Sequence, residues 1–183
     1  MRQLILGLLV FMMVGGVAVA QQTRTEATSA AMPADDVKAN SAAVPNVYAI
    51  TGQFERIVVL RFKYQTDLLA GLDSTLRQEK IRNAVILAGT GSARNYHFHV
   101  VSNRTFPTRN IFVKDTTAPA DIVSMNGYVI NGRVHAHITL TDADKAFGGH
   151  LEPGTTVFTF AIVTVGVFRD GIDLSRIDDR TYR

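Results

Sequence analysis

The sequence contains no cysteine, and this absence excludes several classes of protein. Disulfide scaffolds, thiolate metal centres and lipoproteins acylated on an N-terminal cysteine all need that residue. A domain without disulfides must be held together by its apolar core, by association with other copies or by a bound ion.

A strong excess of one charge is also absent. The chain has 19 Lys and Arg residues against 16 Asp and Glu residues, for a net charge of +3. Proteins that bind duplex DNA usually carry a concentrated basic stripe, and none occurs here. The nearest approach is a loose set of basic residues that we interpret as a solvated face: Arg94, Arg104, Arg109 and Lys114.

The common catalytic motifs and internal repeats are missing as well. There is no G-x-S-x-G elbow, no H-E-x-x-H helix and no paired-carboxylate constellation. The short run Gly89-Thr90-Gly91-Ser92 lacks the pattern of a phosphate-binding loop. The histidines therefore remain as the candidate chemistry.

Residues 1–20 show the three parts of a secretory signal peptide. Arg2 supplies the positive charge, residues 4–14 form an uninterrupted apolar run, and Ala18-Val19-Ala20 supplies the small residues of a cleavage site. A signal anchor is the alternative, since the apolar stretch approaches spanning length. Cleavage is favoured by the Gly15-Gly16 pair and the cleavage site. The sequence thus predicts a periplasmic or secreted protein, whose net charge falls to +2 when Arg2 is removed.

The remaining chain divides into three parts. Residues 21–50 are rich in Ala, Thr, Ser and Asp without apolar periodicity, which predicts a disordered linker. Residues 51–168 form the predicted domain. Residues 169–183 are polar, and we expect a mobile or loosely packed tail in which only three side chains could dock: Ile172, Leu174 and Ile177.

The domain has the pattern of an α+β fold, with a central, mostly antiparallel sheet and a flanking helix. Leucines at helical spacing predict a helix over residues 67–80, capped by Thr66 or Asp67. Asn131-Gly132 predicts a tight hairpin, and residues 102–118 are expected to form an irregular connection. Strands are predicted over residues 54–64, 84–88, 95–101, 121–130, 133–141 and 155–168.

Three histidines form the strongest candidate site. His135 and His137 alternate along a predicted strand, so their side chains share a face. His150 follows Gly148-Gly149, and two glycines allow a close backbone approach that could bring it onto that face. Three imidazoles suffice for a tetrahedral zinc site with an open fourth position. Copper, nickel and iron also bind imidazole, so ligand type does not fix the element.

Other polar residues near this pattern have less specific interpretations. His97 and His99 form a second alternating pair, and one of them could complete the metal shell. We interpret His99 as facing solvent or a subunit interface and leave His97 open. Glu152 is interpreted as a loop residue. Three residues after the H-x-H strand are interpreted as turn residues, although a carboxylate there could orient an imidazole: Asp142, Asp144 and Lys145.

The order of these motifs resembles the PPC domain, the plants-and-prokaryotes conserved domain that also occurs beside AT-hooks in plant nuclear proteins. The resemblance covers about residues 55–168. Four sequence blocks carry it: Ile86-Leu87-Ala88-Gly89-Thr90-Gly91-Ser92-Ala93, Asp121-Ile122-Val123-Ser124-Met125-Asn126-Gly127, Gly132-Arg133-Val134-His135-Ala136-His137-Ile138 and Gly148-Gly149-His150-Leu151-Glu152-Pro153-Gly154.

The resemblance implies a compact domain that assembles as a homotrimer, with His135, His137 and His150 as metal ligands. The family is often labelled DNA-binding, but the Arg-Gly-Arg-Pro element of its plant members does not occur here. We therefore expect an exported PPC-domain protein that binds a divalent metal, with zinc preferred. Such a metal site could also bind a small-molecule ligand or support a hydrolytic reaction. The alternatives are a DNA-binding accessory protein and a structural or partner-binding trimer.

Overall fold

The computed structural model describes residues 22–28, 39–179 and 182–183. The predicted signal peptide and part of the predicted linker lie outside these residues. Within the described part, no helix is both long enough and apolar enough to cross a membrane. The described chain forms these elements: β1 (Thr23–Thr28), β2 (Phe54–Lys63), α1 (Leu68–Gln78), β3 (Ala84–Val101), β4 (Arg109–Asp115), β5 (Ala120–Ile130), β6 (Arg133–Thr141), β7 (Ala146–Leu151) and β8 (Thr156–Phe168).

All pairings between these strands are antiparallel, as predicted. The first part of β3 lies between β5 and β8, and β8 continues the sheet to β2. The last part of β3 lies between β4 and β7. Because β5 also pairs with β6, and β6 with β7, the strands β3, β5, β6 and β7 close into a ring. The last part of β3 and the neighbouring β7 and β6 carry the candidate histidines.

The predicted helix packs its apolar face into the core that it shares with the sheet. Asp67 caps it, since its carboxylate accepts a hydrogen bond from the amide N of Ala70 at 2.9 Å. Leu68, Leu72 and Leu76 are fully buried, and each contributes roughly 2 kcal/mol of burial free energy. The predicted cap and apolar face are confirmed, and the helix is three residues shorter than predicted (11 rather than 14 residues).

The prediction of two separate strands within residues 84–101 is wrong, because β3 runs through without a break. A Cβ at Gly89 would meet the side chain of Met125, and one at Gly91 would meet the backbone of Phe160 and Ala161. These glycines permit close approach to neighbouring strands rather than a turn. The register shifts near them bend the strand, so that its first part pairs with β5 and β8 and its last part pairs with β4 and β7.

Three other expectations also need correction. The predicted linker contains β1, a solvent-exposed edge strand paired with β4, and its exposed Thr-rich sequence has no apolar alternation to reveal it. The predicted irregular connection contains β4. The C-terminal tail packs onto the domain: Leu174 is buried, and the side-chain amide of Asn83 donates a hydrogen bond to the carbonyl O of Ile172 at 2.9 Å.

The Asn131-Gly132 hairpin is confirmed. Both residues have positive φ, at 52° and 81°, as this class of two-residue turn requires. The turn directly joins β5 to β6 and therefore sets the register of the strand that carries His135 and His137.

Candidate metal centre

Three histidines stand in a row across adjacent strands. His150 on β7 lies directly opposite His137 on β6 and directly opposite His99 on β3. Residues paired in this way have side chains on the same face about 5 Å apart. His135 is two residues before His137 and shares that face. The sheet register therefore brings His99, His135, His137 and His150 together.

The Gly148-Gly149 pair makes this arrangement possible. A Cβ at Gly148 would meet the carbonyl group of Ile138 on β6, and one at Gly149 would meet the carbonyl group of His99 on β3. Gly148 also has a φ of 154°, which side chains disfavour. The predicted close approach is thus confirmed, and His150 lies on β7, a strand that the sequence did not predict.

The three predicted ligands lie close enough to surround one small ion. One ring nitrogen from each of His135, His137 and His150 lies within 4.8 Å of the others. The ring centroids of His135 and His137 are 5.5 Å apart, and that of His150 is 4.8 and 5.2 Å from them. A tetrahedral zinc with bonds of about 2.1 Å would need nitrogens about 3.4 Å apart, so small side-chain rotations suffice. The donor set fits a divalent metal.

Asp178 orients one of these histidines, and sequence reasoning missed it. Its Oδ1 accepts a hydrogen bond from Nδ1 of His135 at 3.0 Å, and its Oδ2 accepts one from Arg133 at 2.6 Å. An imidazole that donates through Nδ1 to a carboxylate presents Nε2 as its lone-pair atom, the usual arrangement of metal-binding histidines. Asp178 lies in the predicted loose tail, and its local sequence gave no signal for this role.

A second carboxylate orients His99 in the same way. Oε1 of Glu152 accepts a hydrogen bond from Nδ1 of His99 at 2.6 Å, and both side chains are about one-fifth exposed. The ring of His99 stacks on that of His150, with centroids 4.6 Å apart. His99 therefore does not face open solvent, while a place at a subunit interface stays a prediction. Glu152 lies in the loop after β7, as predicted, and it also orients an imidazole. His97 lies outside this group, and its Nδ1 bonds to the carbonyl O of Pro153 at 2.8 Å.

The residues after β6 form a turn, as predicted. Oδ1 of Asp142 accepts hydrogen bonds from the amide N atoms of Asp144 and Lys145, both at 2.9 Å. These local bonds are typical of an Asx turn. The suggested role of a carboxylate from this turn is instead filled by Asp178 and Glu152.

The profile of the Plants and Prokaryotes Conserved (PCC) domain matches residues 49–169. The chain belongs to this family. The match covers the predicted domain of residues 51–168 and all three predicted histidine ligands, and it confirms the resemblance drawn from the sequence blocks. A comparison with curated proteins found no match.

Solved structures with the PCC fold come from archaea and bacteria. A metal-containing protein of Archaeoglobus fulgidus is 20% identical, with a TM-score of 0.60 over 74% of this chain and 95% of the other. A plant- and prokaryote-conserved protein of Pyrococcus horikoshii is 21% identical, with a TM-score of 0.56 over 69% and 89%. A Bacteroides thetaiotaomicron protein with a suggested DNA-binding role is 16% identical, with a TM-score of 0.53 over 66% and 83%. At these identities the likeness establishes the fold.

Within this PCC domain, the histidine face keeps its central imidazoles neutral. Burial, followed by the neighbouring His99, His135 and His137, lowers the pKa of His150 to about 4. Burial also lowers the pKa of His137, with smaller effects from His135 and His99. Neutral imidazole is the form that binds metals. At pH 7 both residues therefore have their lone pairs available.

A cavity of about 460 Å³ opens beside the histidines of the PCC domain. All four clustered imidazoles and Asp178 line it, together with Val100 and Val101 of β3. This volume is that of a small-molecule pocket. The arrangement can therefore hold a cation against one wall and leave space beside it for a small ligand.

Proposed function

We propose that this protein is an exported, homotrimeric PCC-domain protein that binds one divalent metal ion through His135, His137 and His150. Zinc is the metal we favour. The single observation that carries the proposal is the convergence of three imidazole nitrogens within 4.8 Å at one wall of a cavity. The metal-containing relative of Archaeoglobus fulgidus supports the same interpretation.

The surroundings of the three histidines fit a metal centre better than a simple polar cluster. Asp178 fixes the orientation of His135, and burial keeps His150 neutral. Both features raise the affinity of an imidazole group for a cation.

His135, His137 and His150 would hold a zinc ion through three ligands, which would leave one coordination position for another ligand. A zinc ion with an open position polarises a carbonyl oxygen or lowers the pKa of a bound water. The chain itself would bind and orient a small molecule in the cavity beside these histidines, which Val100 and Val101 also line. We therefore propose that the cavity accepts a small ligand, with a hydrolytic or lyase-type reaction as the corresponding activity.

Metal analysis of the untagged protein after zinc-replete expression tests the proposal. We expect one zinc per chain in the wild type and markedly weaker zinc binding in the His135→Ala/His137→Ala variant. His97→Ala is the matched control, because His97 is a histidine of the same domain whose ring bonds to Pro153 instead. Substoichiometric metal in the wild type would refute metal binding. Retention of tight binding by the double variant would refute the ligand assignment.

An exposed apolar surface supports assembly with other copies of the chain. The outer face of β2 and β8 presents Ile57, Val59, Phe160 and Ile162, with Val59 64% exposed. Contiguous exposed apolar surface marks an interaction site. We propose that this face forms the trimer interface. Light scattering after Val59→Glu should report a smaller species, whereas Val47→Glu, which changes an equally apolar exposed residue outside this face, should not.

DNA binding is the second candidate function. Two exposed arginines stack on rings of the same outer surface: Arg61 lies 5.4 Å from the ring centre of Phe160, and Arg94 lies 5.6 Å from that of Tyr64. Such pairs also stack on nucleic-acid bases, and a bacterial relative has a suggested DNA-binding role. If the protein binds DNA, fluorescence anisotropy with a DNA duplex should show binding that weakens steeply as the salt concentration rises.

Location separates the two candidates. The N-terminal signal supports a periplasmic or secreted protein, away from chromosomal DNA. A reporter enzyme that is active only outside the cytoplasm, fused after Gln22, should become active. An inactive but intact fusion would contradict export and favour the DNA-binding candidate.

A further inference from the structure

A second group of ligand side chains lies beside the three-histidine set. One ring nitrogen each from His99 and His150 and one carboxylate oxygen of Glu152 lie within 4.8 Å of one another, and all three residues are half-buried. Two histidines and one glutamate form one of the standard zinc-binding sets of proteins. We propose that these residues form a second cation position, and that a divalent cation occupies either position, one at a time.

The backbone register makes the two positions neighbours rather than one larger site. His150 stands between His137 on one side and His99 on the other. No group of three ligands within the described residues unites His99 with His135 or His137 at the same spacing. A cation bound by His99 and Glu152 would therefore lie on the β3 side of His150, and one bound by His135 and His137 on the β6 side.

His150 is the reason that both positions are not filled together. A neutral imidazole has one nitrogen with a free lone pair, while the other nitrogen carries the proton. Both ligand sets draw on this residue, so a cation in one set removes a ligand from the other. The inference rests on the proposed role of His150 in metal binding, and it predicts a total of one cation per chain.

The two positions differ in strength. In the second, one of the ligands, Glu152, already accepts the 2.6 Å hydrogen bond from His99, so a cation there must share or break this bond. In the first, the hydrogen bond from His135 to Asp178 leaves the lone-pair nitrogen of His135 free. The three-histidine set is therefore the resting position.

Zinc titration of untagged, metal-free protein tests this inference. We expect one equivalent in the wild type, and one equivalent bound at least about tenfold more weakly in His135→Ala/His137→Ala. Adding Glu152→Gln or His99→Gln to that double variant should abolish the remaining binding. Adding His97→Gln instead should leave it unchanged. Circular dichroism of each variant confirms that the sheet is retained.

The outcomes separate this inference from the proposed function. Binding of two equivalents by the wild type would overturn the single shared occupancy. If the double variant binds no more zinc than one that also carries His150→Ala, the second position does not exist. If the double variant binds as tightly as the wild type, the three-histidine site is wrong and the His99 set is the main site.

Discussion

The Asp178→Asn substitution tests whether Asp178 orients a metal ligand, because it should weaken zinc binding more than it lowers the stability of the domain. The substitution keeps the shape of the side chain but removes the charge that accepts from Nδ1 of His135 at 3.0 Å. Loss of such a carboxylate partner typically weakens metal affinity 10- to 100-fold, or by about 1.4 to 2.7 kcal/mol. We expect zinc affinity to fall within this range.

The same substitution should change the stability of the metal-free protein much less. Asp178 also forms an ion pair with Arg133, whose side chain is 70% exposed. Solvent screens such a pair, which contributes at most about 1 kcal/mol. The effect on zinc binding should therefore exceed the effect on unfolding.

The assay is a zinc competition titration against a chelating indicator at pH 7, together with urea unfolding of the metal-free protein. Asp173→Asn is the matched control, because Asp173 lies in the same tail and accepts a hydrogen bond from the amide N of Ser175 rather than from a histidine. Zinc affinity equal to that of the wild type in Asp178→Asn would refute the orienting role. A large loss of stability with an equal loss in the control would show that the tail acts only structurally.

Three further predictions concern the sheet, the core and pH. Gly149→Ala should destabilise the domain by about 1–3 kcal/mol in thermal melting and weaken zinc binding in the competition titration, because the added methyl meets the carbonyl group of His99. Stability and zinc affinity equal to those of the wild type would contradict this close approach. Leu72→Ala should cost about 2–5 kcal/mol in urea unfolding, since this side chain is fully buried in the core, and a cost below 1 kcal/mol would contradict that packing. The pKa of His150 is lowered to about 4 in the folded state from an ordinary 6.5, so the metal-free protein should lose stability as pH falls from 6.5 toward 4. His150→Gln should flatten this dependence, and an unchanged slope would show that other groups cause it.

The sequence predicted the parts of this protein whose signals are local. Leucine spacing identified the helix, Asn131-Gly132 identified the hairpin, and alternation placed His135 and His137 on one face. Gly148-Gly149 indicated the close approach that brings His150 to them. Each of these inferences depends on the conformational preference of a few consecutive residues.

The parts that were missed depend on contacts between distant residues. Asp178 reaches His135 across 43 positions of the chain, and Glu152 reaches His99 across 53. Nothing in the sequence near either carboxylate distinguishes it from an ordinary loop or tail residue. The role of His99 likewise depends on the pairing of β3 with β7, which only the closure of the ring creates.

Because Asp178 contacts His135, the docking of the C-terminal tail is coupled to the binding of a metal ion. A contact that strengthens the binding of a cation must strengthen the docking of the tail by the same free energy, because such coupling is reciprocal. Zinc would then slow the proteolysis of this tail. Conversely, a fusion partner or a proteolytic cut that pulls Asp178 away would release metal from a site that is otherwise intact.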